Sequence, residues 1–193
     1  MPNPVQFRPA LLSIFLGFTL LTANVRGQAN GNREGYFPSP QMMTIGVYYY
    51  PEAWPAEQWG RDISNIKRLG FEFIHVGEFA WAFMEPEEGK FDFAWLDRVV
   101  ELAAKNGLKV IMCTPTPTPP IWLVQKHPEV LMVDDAGRTM VHGTRQHATW
   151  SSEVYRKYVA KIVTALGQHF GNTPTVWGWQ LDNELSHYGK NYD

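Results

Sequence analysis

The chain alternates apolar, strand-like runs with amphipathic segments that end at glycine, and this alternation limits its possible folds more than any other feature. Four short runs are rich in β-branched and aromatic residues, and apolar residues at helical spacing separate them. The runs are nearly continuously apolar, which is typical of parallel strands covered on both faces by helices. The predicted strands are 43–50, 71–76, 108–113 and 175–181, and the predicted helices are 55–69, 93–106 and 152–170.

The connections between these elements are short at one end of the strands and long at the other. Each helix is followed by a short turn that carries Gly70, Gly107 or Gly171, since glycine is the usual residue just after a helix. The connections that follow the second and third strands are long, at 77–92 and 114–151. Long loops at the carboxyl ends of parallel strands favour a (β/α)8 TIM barrel. We therefore predict an α/β fold that contains about the first four β/α units of such a barrel.

A doubly wound open sheet is the structural alternative, although its nucleotide-binding form is disfavoured. In that form a glycine-rich phosphate loop follows the first strand, whereas Tyr50, Pro51 and Glu52 stand there in this chain. Four strands cannot close a barrel, and the two edge strands would keep unpaired backbone groups. We expect 42–193 to be the N-terminal half of a barrel, as a fragment of a longer chain or a truncated gene product.

The first residues are typical of a secretory signal peptide. Arg8 precedes the apolar run 10–23, which is shorter than the roughly 20 residues of a membrane span. Small residues precede a plausible cleavage site before Gln28. The sequence thus predicts a signal peptide at 1–27, a linker at 28–41, and a mature protein that is secreted or periplasmic.

Composition argues against several classes of partner and cofactor. The formal net charge is -2 without any block of like charges, so nothing indicates nucleic acid or a membrane as partner. The single cysteine, Cys113, lies in an apolar run and is predicted to be buried and unreactive. One cysteine can form neither an internal disulfide nor a cysteine-only zinc site, and we expect no metal and no cofactor. A zinc site of His75, His142 and His147 is an alternative that requires the three side chains to converge.

A carboxylic acid follows the fourth predicted strand, at the end of the barrel where active sites are built. The segment 177–184 reads WGWQLDNE. Glycoside hydrolysis needs one carboxylic acid that protonates the leaving oxygen, and burial at a strand end would favour the protonated form. Glu184 is the candidate for this acid, and Asn183 offers an amide for a sugar hydroxyl. Taken alone, the pair would also suit a helix cap.

Seven short motifs follow one another between about residues 45 and 189. They are 46–52 (GVYYYPE), 77–81 (GEFAW), 85–97 (EPEEGKFDFAWLD), 114–116 (TPT), 119–123 (PPIWL), 143–145 (GTR) and 179–184 (WQLDNE). Through these motifs the chain resembles glycoside hydrolase family 42, the β-galactosidases of a clan of retaining barrel enzymes. The resemblance implies hydrolysis of terminal β-D-galactosyl residues, a β-galactoside as substrate and, in many members, a homotrimer.

The resemblance also implies roles for individual residues. Glu184 matches the general acid/base, Asn183 matches the residue that holds the hydroxyl next to the anomeric carbon, and Arg145 matches an arginine that binds galactose hydroxyls. The nucleophile of such enzymes is a second glutamate at the end of strand seven, and no residue of this chain is assigned that role. We therefore expect the fragment alone to be inactive and prone to aggregation.

Some positions depart from the family pattern or have a supporting role. Many members bind structural zinc through cysteines, one of which follows the arginine motif, whereas Ala148 and its neighbours offer none. His75 stands where the second strand often carries arginine, and a histidine hydrogen-bonded in the barrel wall explains it equally well. We interpret Glu52 and Glu78, at predicted strand ends, as residues that support the site.

Two other functions stay open from the sequence. One is a non-catalytic sugar-binding remnant, because no nucleophile is assigned. The other is a retaining glycosidase of the same clan that acts on β-glucosides, β-mannans or α-L-arabinopyranosides. The sequence does not decide between these substrates, because loops after strands five to eight set most of the specificity.

Overall fold

A parallel four-stranded sheet is the centre of the computed structural model, which describes residues 44–143 and 145–185. The strands are β1 Gly46–Tyr48, β2 Phe73–Val76, β3 Lys109–Cys113 and β4 Val176–Gln180. They lie in the order β1-β2-β3-β4, and each pairs in parallel with the next. This arrangement confirms the predicted α/β class. The predicted signal peptide at 1–27 and linker at 28–41 lie outside the described residues.

Helices connect successive strands at the positions that the sequence predicts. They are α1 Trp59–Arg68, α2 Trp81–Met84, α3 Ala94–Lys105, α4 Ile121–Lys126 and α5 Glu153–Phe170, with 3-10 turns at Pro51–Ala53 and Pro128–Val130. The largest difference from prediction is at α1, which begins at Trp59 and not at residue 55. Helices α2 and α4 lie inside the long loops and were not predicted, because one or two turns show too little periodicity. No helix in these two ranges has the length and apolarity that crossing a membrane requires.

The helix ends follow local hydrogen bonding. Ser152 caps α5, because its Oγ accepts a hydrogen bond from Tyr155 N at 3.2 Å. Before α3, Asp92 Oδ1 accepts a hydrogen bond from Ala94 N at 3.0 Å, although Asp92 lies one residue before the capping position, which Phe93 occupies. Gly70 and Gly107, after α1 and α3, have φ values of 92° and 66° in the left-handed region. Gly171, after α5, differs from them, because its φ is −61°.

Replacing Ser152 with Ala is expected to lower the free energy of unfolding by about 0.5–2 kcal/mol, because Tyr155 N then loses its side-chain acceptor. Urea unfolding of the purified protein measures this change. The matched control is Ser151→Ala, at the exposed neighbouring position. Equal losses in the two variants would contradict the capping role.

The core lies between the sheet and its helices. Residues of β2, β3, α3 and α5 share it, and the fully buried ones include Ile74, Val110, Met112, Leu96, Val99, Ile162 and Leu166. Helices α3 and α5 also touch, since Asp97 Oδ1 and His169 Nε2 lie 2.7 Å apart. This packing buries one face of the sheet.

The opposite face of the sheet is less covered. Tyr48, His75 and Ile111 share this face by register, and they are exposed or only half-buried. The prediction of helices on both faces is therefore wrong for the described residues. In a barrel this face forms the interior, which side chains fill without helices, so the asymmetry suits a barrel better than a doubly wound sheet.

Candidate active site

The carboxyl ends of the four strands bring polar side chains to one edge of the sheet. The contributing residues are Tyr48 and Tyr50 from the end of β1, Glu78 after β2, Thr114 and Thr116 after β3, and Gln180, Asp182, Asn183 and Glu184 at the end of β4. Because all four strands run in parallel, these ends meet at the same edge, where barrel enzymes carry their chemistry.

A buried carboxylate, Glu78, joins three of the strand ends. Tyr50 Oη donates a hydrogen bond to its Oε2 at 2.7 Å, and Gln180 Nε2 donates to its Oε1 at 3.0 Å. Tyr48 Oη completes the series by donating to Gln180 Oε1 at 3.0 Å. Burial, together with the hydrogen bond to Glu78, raises the pKa of Tyr50 above its ordinary value. The phenol therefore stays protonated and acts as a donor to the carboxylate.

Glu52 lies beside this network in the 3-10 turn that follows β1. Burial raises the pKa of the Glu52 carboxyl, and the neighbouring Glu78 charge adds to the increase. The interpretation of Glu78 as a supporting residue agrees with its contacts, because both of its oxygens are engaged by protein side chains.

Asp182 joins the end of β4 to the end of β3. It is 6% exposed, and its Oδ2 accepts a hydrogen bond from Thr116 Oγ1 at 2.6 Å. Its Oδ1 accepts from Asn183 N at 2.6 Å, and its own N–H donates to Thr114 Oγ1 at 2.8 Å. These bonds hold Asp182 at φ 55°, a left-handed conformation that residues other than glycine rarely adopt.

Asn183 and Glu184 follow this anchored residue directly. Asn183 is half-buried, and Glu184 is exposed with φ 45°. The expectation that Glu184 is buried at the end of the strand is wrong within the described residues. The reason is geometric, since β4 ends at Gln180 and the exposed Leu181 already lies outside the core.

Arg145 reaches the same edge from the loop between β3 and α5. Its guanidinium Cζ lies 5.4 Å from the centre of the Phe79 ring, which stacks on Tyr50 with centroids 5.9 Å apart. The next residue, Gln146, has φ 56°, and its N–H donates to Pro117 O at 2.7 Å. Arg145 is an exposed residue, and its guanidinium lies against the loop that follows β2.

The histidines do not form one cluster. The rings of His142 and His147 lie 5.1 Å apart beside a pocket of about 220 Å³, whereas His75 lies in β2 with its ring 4.5 Å from Tyr48. Across 44–143 and 145–185, no group of three or more His, Cys, Asp and Glu side chains could hold a metal ion. The three-histidine zinc site is therefore not formed by these residues.

Cys113 and His75 are neighbours inside the sheet, with Sγ and Nδ1 3.7 Å apart. Burial raises the pKa of the Cys113 thiol to about 12 and lowers the pKa of His75. Because the thiolate is the reactive form, Cys113 is buried and unreactive near neutral pH, as the sequence predicts. His75 therefore agrees with the interpretation as a histidine that is hydrogen-bonded in the barrel wall.

Sequence reasoning missed the network beneath Glu184. Thr116, Gln180 and Asp182 all lie within the motifs that carry the family resemblance, but a motif does not say which side chains touch. The sequence does contain two threonines after β3 and an aspartate after β4, which could have indicated a hydrogen-bonded group. Only the pairing of these two strands brings them together.

Comparison with known proteins gives a consistent result. The model of the glycoside hydrolase 42 family, described as β-galactosidase, matches residues 48–192. A β-galactosidase of Haloferax lucentense is 47% identical over 143 residues, which cover 74% of this chain and 22% of the relative. A β-galactosidase of Halorubrum lacusprofundi is 43% identical over 143 residues, which cover 74% and 20%. This chain spans about a fifth of the length of these curated relatives.

Solved structures agree with this match. The cold-adapted β-galactosidase from Rahnella sp. R3 has a TM-score of 0.75 and 32% identity, covering 81% of this chain and 24% of that chain. The β-galactosidase from the psychrophilic Marinomonas ef1 has a TM-score of 0.71 and 44% identity, covering 74% and 22%. The four parallel strands and their helices therefore match part of a TIM barrel, as predicted.

Proposed function

Because this chain belongs to the glycoside hydrolase 42 family of β-galactosidases, we propose that the protein is a retaining β-glycosidase that hydrolyses terminal β-D-galactosyl residues. The observation that supports this most strongly is the position of Glu184, on an anchored turn at the carboxyl end of β4. Its carboxyl group is exposed there and is accessible to a substrate oxygen.

In the proposed reaction, Glu184 acts twice. It first protonates the glycosidic oxygen as the bond to the anomeric carbon breaks, and it then removes a proton from the water that releases galactose. A second carboxylate attacks the anomeric carbon and forms the covalent intermediate. None of the described residues is assigned that second role.

Asn183 and Arg145 are proposed to bind the sugar. Asn183 carries an amide next to the reacting acid, and its backbone is fixed by the Asp182 carboxylate. Arg145 is an exposed residue at the same edge, and its guanidinium lies beside the Phe79 ring. An arginine fork can donate several hydrogen bonds to neighbouring hydroxyls, which suits recognition of a sugar ring.

Replacing Arg145 with Ala is expected to lower kcat/KM for a β-galactoside by about 10- to 100-fold, because a hydrogen bond from a charged donor contributes roughly 1.5–3 kcal/mol. Steady-state kinetics of the full-length protein measure this. The matched control is Arg138→Ala, in the same loop, where the exposed guanidinium pairs with Asp134 at 2.8 Å. An unchanged kcat/KM in the Arg145 variant would contradict a binding role.

Substrate choice within the clan is tested with a panel of nitrophenyl glycosides. We expect the full-length protein to have its highest kcat/KM with the β-galactoside, above the β-glucoside, the β-mannoside and the α-L-arabinopyranoside. A different preferred sugar would replace the galactosidase assignment with another glycosidase of the clan. Galactose binding without any turnover would instead support a non-catalytic remnant.

Location and assembly are proposals of the same kind. The apolar run 10–23 behind Arg8 supports a secreted or periplasmic mature protein, whose N-terminal sequence should begin at Gln28.

The family resemblance supports a homotrimer. Light scattering should give the mass of three chains, and a monomer mass would contradict the trimer.

A further inference from the structure

Asp182 uses all of its polar groups to hold the turn before Glu184. Its two carboxylate oxygens accept from Thr116 Oγ1 and Asn183 N, its N–H donates to Thr114 Oγ1, and its carbonyl oxygen accepts from Gln180 Nε2 at 3.0 Å. We propose that Asp182, together with Thr114 and Thr116, is a positioning residue that fixes the direction of the Glu184 carboxyl group. This inference rests on the proposed acid/base role of Glu184.

The shortest hydrogen bonds of Asp182 are those of its carboxyl group. Asp182 is 6% exposed, and its bonds to Thr116 Oγ1 and Asn183 N are both 2.6 Å long. A distance of 2.6 Å lies at the short end of the usual range for a hydroxyl donor and just below it for an N–H donor. Such a buried and doubly bonded carboxylate restricts the backbone that leads into Asn183.

The backbone conformation gives a reason for this restraint. Asp182 and Glu184 have φ values of 55° and 45°, and they flank Asn183 on both sides. Side-chain-bearing residues adopt the left-handed region rarely, and they stay in it only when surrounding contacts determine the conformation. The Asp182 hydrogen bonds are the contacts that do so here, and without them the turn can relax and move Glu184.

Neighbouring residues in turn hold Thr114, Thr116 and Asp182 in place. The two hydroxyls of Thr114 and Thr116 lie 3.3 Å apart, and Tyr155 Oη of α5 donates to Thr116 O at 2.5 Å. On the other side, Gln180 Nε2 also donates to the buried Glu78. The turn is therefore connected to β2, β3 and α5 at once, which is the rigid support that a proton donor needs for correct orientation.

The test compares Asp182→Ala and Thr116→Val with the conservative Thr116→Ser in the full-length protein. Two substrates separate positioning from general damage. An alkyl β-galactoside needs protonation of its leaving oxygen, whereas a 2,4-dinitrophenyl β-galactoside leaves with little help from an acid. Thr173→Val is the matched control, because Thr173 lies just before the amino-terminal end of β4, away from the site.

We expect Thr116→Val and Asp182→Ala to lower kcat for the alkyl galactoside by about 10²-fold, the loss that a misplacement near 1 Å can cause. The glycosylation rate and kcat/KM with the dinitrophenyl galactoside should stay within about twofold, since neither includes the attack of water and this leaving group needs little help from an acid. Thr116→Ser should restore activity, because it keeps the hydroxyl donor. Thr173→Val should behave as the unchanged protein.

Equal losses of the glycosylation rate with the two substrates would show a structural role only and would overturn the proposal. Unchanged hydrolysis of the alkyl galactoside by Thr116→Val would overturn it as well. Should Asp182→Ala fail to fold, Thr116→Val decides alone, because valine and threonine have nearly the same shape. Failure of the proposed function looks different. In that case the unchanged protein hydrolyses neither galactoside, or Glu184→Gln retains normal activity.

Discussion

Replacing Glu184 with Gln lowers kcat toward alkyl β-galactosides by about 10²- to 10⁴-fold, the contribution expected of a positioned general acid and base. The amide has nearly the same shape as the carboxyl group but can neither protonate the leaving oxygen nor take a proton from water. Because Glu184 is exposed, the free energy of unfolding should hardly change. Steady-state kinetics and urea unfolding of the full-length protein measure both quantities.

The same variant has a second expected property. A 2,4-dinitrophenyl galactoside should still transfer its sugar to the enzyme, because its leaving group needs little protonation. Azide, which attacks without a general base, should then speed turnover and yield galactosyl azide. The matched control is Glu101→Gln on the exposed side of α3, which should keep full activity. Near-normal turnover of alkyl galactosides by the Glu184 variant would remove the residue from the mechanism.

Replacing Trp81 with Ala is expected to lower the free energy of unfolding by about 3–5 kcal/mol, the usual cost of deleting a buried aromatic side chain. Trp81 is fully buried and begins the short helix α2 after the Glu78 loop. Its Nε1 donates to Glu85 Oε2 at 2.8 Å, and its ring packs 6.4 Å from that of Tyr155. The variant therefore leaves a cavity and removes a donor from a buried carboxylate.

Urea unfolding with two further variants separates these contributions. Trp81→Phe keeps part of the ring volume but removes the donor to Glu85, so its loss should be smaller than that of Trp81→Ala. Trp54→Ala is the matched control, because Trp54 is 54% exposed and should cost no more than about 0.5 kcal/mol. Equal losses for the alanine variants of Trp81 and Trp54 would contradict the packing.

The elements that were predictable are those whose signal is local. Apart from His75 and Lys109, the residues of β2 and β3 are apolar, and α5 shows apolar spacing behind the capping Ser152, so neighbouring residues alone define these elements. Helices α2 and α4 are too short to show a period, and they form because packing after β2 and β3 favours them. The uneven cover of the two sheet faces also depends on distant residues, and no local pattern contains it.

The candidate site also has a part that could be predicted from the sequence and a part that could not. Glu184, Asn183 and Arg145 were found through motifs in sequence order, and the structure places all three beyond the carboxyl ends of the strands. The exposure of Glu184 could not be predicted, because it depends on where β4 leaves the core. The role of Asp182 needs the pairing of β3 with β4, which brings Thr116 to its carboxylate across a long stretch of chain.

The most direct test of the proposed function is the configuration of the galactose that is released first. Proton NMR follows the anomeric signal while the full-length protein hydrolyses nitrophenyl β-galactoside, before the free sugar equilibrates. A retaining enzyme with Glu184 as acid/base forms β-galactose first, and this is the result we predict. Initial formation of α-galactose, or no release of galactose at all, would contradict it.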